Sequence, residues 1–572
     1  MSDYDLAPLR ETLLEFVPQG RIALLPALHA AQKLYGFLPE KVAKEVGKAL
    51  KVPLADLYGV IEFYGMLYSK PTGRKIIKVC TDPSCAIYGG EEILSSICTH
   101  LKLNPNTTSE DREFRIERAT CLGLCDQAPV VHVNNKVLVR TNNISAEHIL
   151  DGIGPEPNGL VTGTIQKISA NCGKGYPTLL EDFVPNGGYS SLKAALQISP
   201  RDIIENVKSS GLVGRGGAAF PTGVKWESAA NADGEHKFIV CNADESEPGT
   251  FKDRVLLEEN PHLTIEGMII AGYAIGASKG YLYIRGEYLN AYNVMCRALQ
   301  DARKNDYLGE NILGAGFNFD IEIRLGAGAY ICGEETALFE SVEGKRGFPR
   351  IKPPFPTTHG LFNQPTVINN VETLCNIPLI IEEGVQKYRQ IGTEQSPGSK
   401  LFCLSGDVKL PGLYEVPFGT TLNDLVFKQA GGMRGKGRLQ ALLVGGAAGV
   451  FISPDLIDIK LTFEDSNRAG IALGSGAIIV FDNSRDIKDI LLRISRFFAH
   501  ESCGKCYPCQ LGTQRQYEIL KRAVSGKMLP GDVDRLSDIG WTMKDASICG
   551  LGQTASSAIL SAIEIWPDLF AG

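Results

Sequence analysis

A chain of 572 residues is too long for one hydrophobic core and should divide into about three to five domains. Its 44% apolar and 22% charged residues match ordinary globular proteins, and no run of about eighteen apolar residues offers a membrane span. A net charge of −7 gives no grip on nucleic acid, and the start MSDYDLAPLR lacks a basic-then-apolar signal pattern, so a cytoplasmic protein with no membrane insertion is expected.

Residues 1–70 read as a helical bundle, because Leu13, Leu14 and Phe16, then Leu24, Leu25, Leu28 and Leu34, recur at helix-like spacing. The period changes over 71–155. A strand at Ile76–Val79 leads through a loop to a helix near Glu91, and a strand at Phe114–Glu117 follows. Asn134-Asn135-Lys136 then marks a hairpin between Val130–Val133 and Val137–Arg140. DGIGPEPNG (151–159) is a Gly/Pro-rich linker. Residues 165–397 form a large α/β block with glycine-rich turns. Residues 398–482 carry short strands (Lys400–Leu404, Leu442–Val444, Ala477–Phe481) that suit a β-grasp-type module, and 483–572 are helical with embedded cysteines.

Fifteen cysteines in a chain of this size point to metal or redox chemistry more than to disulfides. Cys80 and Cys85 follow one strand and Cys121 and Cys125 follow another, so four thiolates on neighbouring loops can surround a [2Fe–2S] cluster; structural zinc is the alternative. Cys503, Cys506 and Cys509 form a C-x2-C-x2-C run, completed by Cys549, the pattern that wraps a [4Fe–4S] cubane, with Gly504 and Gly512 allowing tight turns around it. The scattered Cys98, Cys172, Cys241, Cys296, Cys332, Cys375 and Cys403 are expected to be mostly buried small hydrophobes.

SGLVGRGGAAFPTGVKW (210–226) fits the dinucleotide fingerprint at Gly214, Gly216 and Ala219, but a helix-like segment precedes it where the fingerprint needs a strand. Arg215 and Lys225 add cations beside backbone N–H groups that could cradle a phosphate. CNADESEPGTFKDR (241–254) is dense in carboxylates, and a solvated acidic loop is its plain alternative. GAGAYICGEETAL (326–338) places Glu334 and Glu335 at a helix start, where acidic residues suit the helix dipole whatever else they do. EGKRGFPRIKPPFP (343–356) supplies cations and Phe355, and INNVET (368–373) supplies paired amides.

Taken with YIRGEY and ESCGKCYPC, these strings resemble the FMN- and NADH-binding flavoprotein subunit of the respiratory complex I family from about residue 165 onward. Residues 1–150 resemble the thioredoxin-like [2Fe–2S] subunit that accompanies it, four cysteines included. The resemblance implies a multidomain α/β and α+β chain: helical bundle, thioredoxin-like domain, Rossmann-like FMN/NADH domain, β-grasp domain and helical iron–sulfur domain. It implies FMN bound by Gly214, Gly216, Lys225, Asn242, Asp244, Glu245, Gly333, Glu334 and Glu335, with Asn369 and Asn370 toward the phosphate. NADH would meet Phe220 and Phe355 at its adenine and Glu247 and Lys352 at its polar parts, with Glu247 and Glu335 orienting nicotinamide and ribose. Hydride transfer would then need positioning and electrostatics rather than a general acid or base. The fused arrangement looks most like the diaphorase subunit of a cytoplasmic NAD-reducing [NiFe]-hydrogenase, working with an iron–sulfur relay subunit and a [NiFe] module. Formate dehydrogenase or complex I subunits are the alternative partners.

Overall fold

The computed structural model describes residues 4–570 as a multidomain, mixed α/β chain. Helices Ala7–Leu13, Leu24–Tyr35, Glu40–Leu50 and Leu54–Phe63 open it and bury Leu9, Leu13, Leu24, Leu25, Leu28, Val42 and Val46 against one another. Leu14 and Leu34, part of the expected apolar pattern, are instead 71% and 45% exposed; helix Ala7–Leu13 ends before the first, and the second lies off the packed stripe.

The next unit is a five-stranded sheet. Its strands are β1 (Lys75–Cys80), β2 (Thr107–Thr108), β3 (Phe114–Ala119), β4 (Val131–Val133) and β5 (Lys136–Leu138), in the order β2-β3-β1-β4-β5. β1 and β3 run parallel, as a strand–helix–strand crossover through helix Gly90–Leu101 requires, and β4 is antiparallel to β1. The hairpin tip is fixed by Asn134, which has φ +52° and accepts from the Ile76 N–H at 2.8 Å, so one side chain sets the register of two strands.

β6 (Val161–Gly163) follows the linker and pairs with a strand far along the chain. The α/β block is built on β7 (Phe238–Ala243), β8 (Lys279–Ile284), β9 (Asp320–Leu325) and β10 (Thr366–Asn370), an all-parallel sheet in the order β10-β7-β8-β9. β7 and β8 read FIVCNA and KGYLYI and are buried along most of their length, because helices cover the sheet. The last sheet holds β11 (Ser399–Gly406), β12 (Gly412–Pro417), β13 (Leu439–Val444), β14 (Val450–Ile452) and β15 (Ala477–Asp482), in the order β14-β13-β15-β11-β12-β6. β6 is therefore its edge strand, a contribution from outside 398–482 that local pattern does not reveal. Helices Ile487–Glu501, Tyr507–Val524, Asp532–Ala546 and Ser557–Ile565 close the chain. Among the described residues no helix is long and apolar enough to cross a membrane.

Candidate functional site

In a parallel sheet the strands' carboxyl ends collect the loops that hold ligands. Here Asn242 lies near the end of β7 and Asp244 just beyond it, Arg285 follows β8, the 326–335 segment follows β9, and Asn369 and Asn370 close β10. Three of the expected site segments, with Arg285 beside them, thus meet at one edge. The Asn242 side-chain amide donates to the Gly333 carbonyl at 2.8 Å, tying the β7 and β9 loops together. Gly333 lies so close to the Asp244 carbonyl that a Cβ there would sit 3.3 Å from it.

The glycine loop enters from helix Pro200–Ser210, not from a strand, and leads into helix Thr222–Asn231. A bridge between Val213 and Pro221 and a 2.9 Å bond from the Gly214 N–H to the Phe220 carbonyl close it into a short arch. Gly216, Gly217 and Phe220 are exposed on that arch. Gly216 rests against Asn370, where a Cβ would approach the asparagine Cβ to 3.1 Å. Lys225 stands behind the arch, its amine donating to the Ile368 carbonyl at 3.1 Å and lying 5.9 Å from the Phe220 ring centroid. Burial lowers its pKa, partly offset by the Glu335 carboxylate, so Lys225, Glu335 and Lys352 feel one another across the same space.

Several expected ligands are committed elsewhere. Arg215 does not face a phosphate: it is 1% exposed, donates to the Pro397 carbonyl at 3.0 Å and lies 4.6 Å from the Phe418 ring centroid, anchoring the arch to the last sheet. Glu245 also departs from expectation. Its carboxylate accepts from the N–H groups of Asp253 (2.9 Å) and Arg254 (3.0 Å) at the start of helix Lys252–Glu259, and its carbonyl accepts from Arg285. Asn370 spends its amide as the cap of helix Val371–Glu383 and on Lys252 and Asp253, so its side chain packs against Gly216 with its polar atoms already engaged. Glu334 caps helix Glu335–Val342 through one oxygen and meets Lys352 at 3.0 Å with the other. Gly512 is not a turn around a cluster; it sits inside helix Tyr507–Val524, where a Cβ would meet Met543 at 2.4 Å, while Gly504 does adopt φ +77°.

The remaining groups stay available. Asp244 keeps a buried carboxylate oxygen with no partner, and burial holds its pKa well above the usual carboxylate range. Asn369 is oriented by the Trp226 indole N–H, which donates to it at 2.9 Å. Glu335 pairs with Lys352 at 2.7 Å. Phe220 and Phe355 are 49% and 57% exposed, unusual for phenylalanine without a partner. An open glycine arch, a backing lysine and an orphaned polar atom at the carboxyl edge fit a phosphate-bearing flavin.

Glu247 accepts from the Tyr330 hydroxyl at 2.6 Å and from the Ala448 N–H at 2.9 Å, and burial raises its pKa to about 7. A carboxyl raised on folding holds a proton in the native state that the unfolded chain has released, so it lowers stability as pH rises from about 4.5 to about 7. The thermal midpoint of Glu247→Gln should accordingly fall less over that window than the parent's; identical slopes in a pH-resolved melting series would refute this.

Both cysteine sets are gathered. Cys80, Cys85, Cys121 and Cys125 are all buried and free of disulfides, and the Cys121 and Cys125 sulfurs stand 3.3 Å apart. Hydrogen bonding from Cys85 and burial push the Cys80 thiol up, while sharing with Cys125 pulls Cys121 down. Cys503, Cys506, Cys509 and Cys549 line one small pocket with Ile331, Pro349, Ile548 and Leu551. Burial pushes Cys509 to about 12 and Cys549 to about 11, so these thiols need a cationic group to become thiolates. No three His, Cys, Asp or Glu side chains among the described residues are arranged to hold a single metal ion. A cluster with its own bridging sulfides needs wider spacing, and both sets fit one. Five of the remaining cysteines are buried, and Cys98 and Cys296 are half-buried.

Family models match three stretches: residues 207–379 the Nuo51 FMN-binding domain, 10–154 the thioredoxin-like [2Fe-2S] ferredoxin, and 489–571 the NADH-ubiquinone oxidoreductase-F iron-sulfur binding region. The F subunit of the NADH-quinone oxidoreductase of Aquifex aeolicus is 47% identical over 389 residues, spanning 68% of this chain and 90% of its own. The alpha subunit of the NAD-reducing hydrogenase HoxS of Cupriavidus necator is 36% identical over 574 residues, spanning 98% of this chain and 93% of its own. A solved chain of an NAD+-reducing [NiFe]-hydrogenase in the air-oxidized state covers 96% of this chain and 93% of its own, with a TM-score of 0.84 at 34% identity. A flavin-binding α/β unit between two four-cysteine sites makes this chain an NAD(H)-dependent flavin and iron–sulfur oxidoreductase subunit, with FMN, [2Fe–2S] and [4Fe–4S] as its cofactors. It belongs to the family that holds the NADH-quinone oxidoreductase flavoprotein and the HoxS α chain, as an NAD(H)/FMN diaphorase.

Sequence reasoning missed Arg254, Arg285 and Tyr330. Their only signal was position: Arg285 ends a strand in YIRGEY, Tyr330 follows one in GAGAYICG, and Arg254 sits in the first turn of a helix after an acidic loop.

Proposed function

We propose that this chain is the diaphorase subunit of a cytoplasmic NAD-reducing [NiFe]-hydrogenase, exchanging hydride with NAD(H) so that the complex carries out H2 + NAD+ → NADH + H+. One observation carries the electron-relay part of this reading. The single turn Tyr330–Gly333 has Gly333 against Asn242 and Asp244 and Ile331 on the wall of the cysteine cavity, so the proposed flavin and cubane sites would share a partition. A 3₁₀ turn rises about 2 Å per residue, which makes that partition thin. Similarity over nearly the whole length of the HoxS α chain, two-iron unit included, supports the hydrogenase setting. The partners would be an iron–sulfur relay subunit and a [NiFe] module. Nothing in this sequence resembles a nickel site, so hydrogen chemistry falls to those partners. Complex I or formate dehydrogenase subunits are the competing assembly, and the NADH-quinone oxidoreductase relative, which spans only 68% of the chain, fits it less well.

In this reading FMN supplies the conversion between a hydride and single electrons. Gly214, Gly216 and Lys225 would hold its phosphate end, and Asn242, Asp244, Gly333, Glu334, Glu335 and Asn369 would border the flavin. Phe220 and Phe355 would stack on NADH, with Lys352 at its polar parts and Glu247 and Glu335 orienting nicotinamide and ribose. Cys80, Cys85, Cys121 and Cys125 would ligate [2Fe–2S], and Cys503, Cys506, Cys509 and Cys549 [4Fe–4S]. The units would be a helical bundle (1–70), a thioredoxin-like domain (71–155), a Rossmann-like domain (165–397), a β-grasp-like domain (398–482) and a helical cluster domain (483–572).

Mass spectrometry of co-purifying chains, with nickel and molybdenum analysis, tests the assembly. A molybdenum-containing complex without nickel would overturn the hydrogenase assignment. Phe220→Ala and Phe355→Ala should each raise the KM for NADH by roughly 2–10-fold, the loss of about 0.5–1.5 kcal/mol of stacking, with FMN retained. Unchanged KM values in an NADH–dye assay would remove both residues from the nucleotide site.

A further inference from the structure

The loop carrying Cys121 and Cys125 is held in part by the flavin unit. Arg285, 2% exposed at the end of β8, donates to the Cys121 carbonyl at 2.8 Å and, through its other terminal nitrogen, to the Glu245 carbonyl at 2.8 Å. Arg254 donates to the Gly123 carbonyl at 2.9 Å. Tyr288 packs so tightly on Gly123 that a Cβ there would lie 2.1 Å from its hydroxyl, and that hydroxyl also donates to Glu245 at 3.2 Å. One guanidinium therefore joins the cysteine loop to the loop that follows β7, in a space closed to solvent.

We infer that Arg285 is a positioning residue that couples the two-iron site to the flavin-side loop and raises that site's reduction potential. The inference rests on reading Cys80, Cys85, Cys121 and Cys125 as [2Fe–2S] ligands. Reduction adds one electron to the cluster, and donors and positive charge close to the ligand loop stabilise the more negative form. Glu287 pairs with the same guanidinium through Nε at 3.1 Å and through the terminal nitrogen that serves Cys121 at 3.0 Å, so the loop meets the donors of an ion pair rather than an isolated charge. Arg254 repeats the arrangement with Glu258 at 2.6 Å. A lysine could not replace Arg285, because a single ammonium lacks the planar fork that reaches two carbonyls and a carboxylate at once. The geometry also gives the two-iron site a mechanical tie to the flavin: movement of residues 244–247 displaces Cys121 through one side chain.

The test is a redox titration of the whole protein followed by low-temperature magnetic resonance, reading the two-iron and cubane signals separately. Arg285→Met with Glu287→Gln removes the donors without leaving an unpaired buried carboxylate. In that variant the two-iron reduction equilibrium should weaken about tenfold, ~59 mV for one electron, with the cubane unmoved. Arg285→Lys, which keeps the charge, should move it in the same direction by less, and it decides the matter if the double variant loses its cluster. A two-iron signal at full intensity with unchanged potential in Arg285→Lys and in any cluster-bearing double variant overturns the inference, as does an equal shift of the cubane. If the parent protein shows no two-iron signal and binds zinc in its place, it is the ligand assignment that fails.

Discussion

Replacing Lys252 by methionine is expected to cost about 3–5 kcal/mol of stability, because it strips the closest cation from two buried carboxylates. Lys252 is fully buried, and its amine lies 2.7 Å from Asp253, 3.1 Å from Glu372 and 3.0 Å from the Asn370 amide oxygen. Burial disfavours its charge, yet Asp253, Glu372 and Glu245 together outweigh that and hold it protonated. Lys400 is the poor substitute. It stands 3.7 Å from Glu372, and burial lowers it to about 8. Without Lys252, Asp253 and Glu372 would face each other in a low dielectric, and Asn370, which backs the glycine arch, would lose one of its three fixed partners. Weaker FMN retention should therefore accompany the loss of stability. Denaturant unfolding with flavin released on heating measures both, and Lys252→Met with Asp253→Asn should recover part of the loss. A single variant within about 1 kcal/mol of the parent would show that the surrounding charges rearrange, contrary to this account.

Much of this architecture was legible in the chain, and the parts that were not share a cause. Period and spacing locate the N-terminal helices, β1 and β3, the Asn134 hairpin and both cysteine sets, because each is specified by residues close together in sequence. The glycine arch was legible as an exception: a fingerprint preceded by helix Pro200–Ser210 instead of a strand. What escaped was long-range. β6 joins a sheet whose other members lie beyond residue 398. Arg215 reads as a phosphate-binding cation until Pro397 and Phe418, far along the chain, are seen to claim it. Glu245, Glu334 and Asn370 show that a resemblance fixes the neighbourhood of a residue better than its partner, since the polar atoms expected to face the flavin are taken by helix N-termini. Local sequence does specify those helix starts, and Glu334 caps helix Glu335–Val342 as helix-start chemistry expects.

Cys549→Ala should abolish the cubane's magnetic resonance signal and cut electron delivery beyond the flavin on the order of 100-fold or more, since even outer-shell changes at metal sites cost roughly 10–100-fold. Cys549 approaches the other three thiols from the start of helix Gly550–Thr554, whose Leu551 and Gly552 N–H groups face its sulfur and favour the thiolate. The other three cysteines come from one loop and the first turn of helix Tyr507–Val524, so among the described residues nothing else lining the cavity offers a sulfur on the Cys549 side. Alanine there should leave the protein folded, because Cys549 is half-buried and Leu551 and Ile548 still close the cavity. NADH oxidation by a small dye that accepts electrons at the flavin should persist, since Gly333, Asn242 and Asp244, which we propose border the flavin, are untouched. The contrast between the two assays is the diagnostic result. Loss of both would mean that the Tyr330–Gly333 partition transmits structural damage, whereas an unchanged cubane spectrum would remove Cys549 from the ligand set and leave the cavity's fourth wall unexplained.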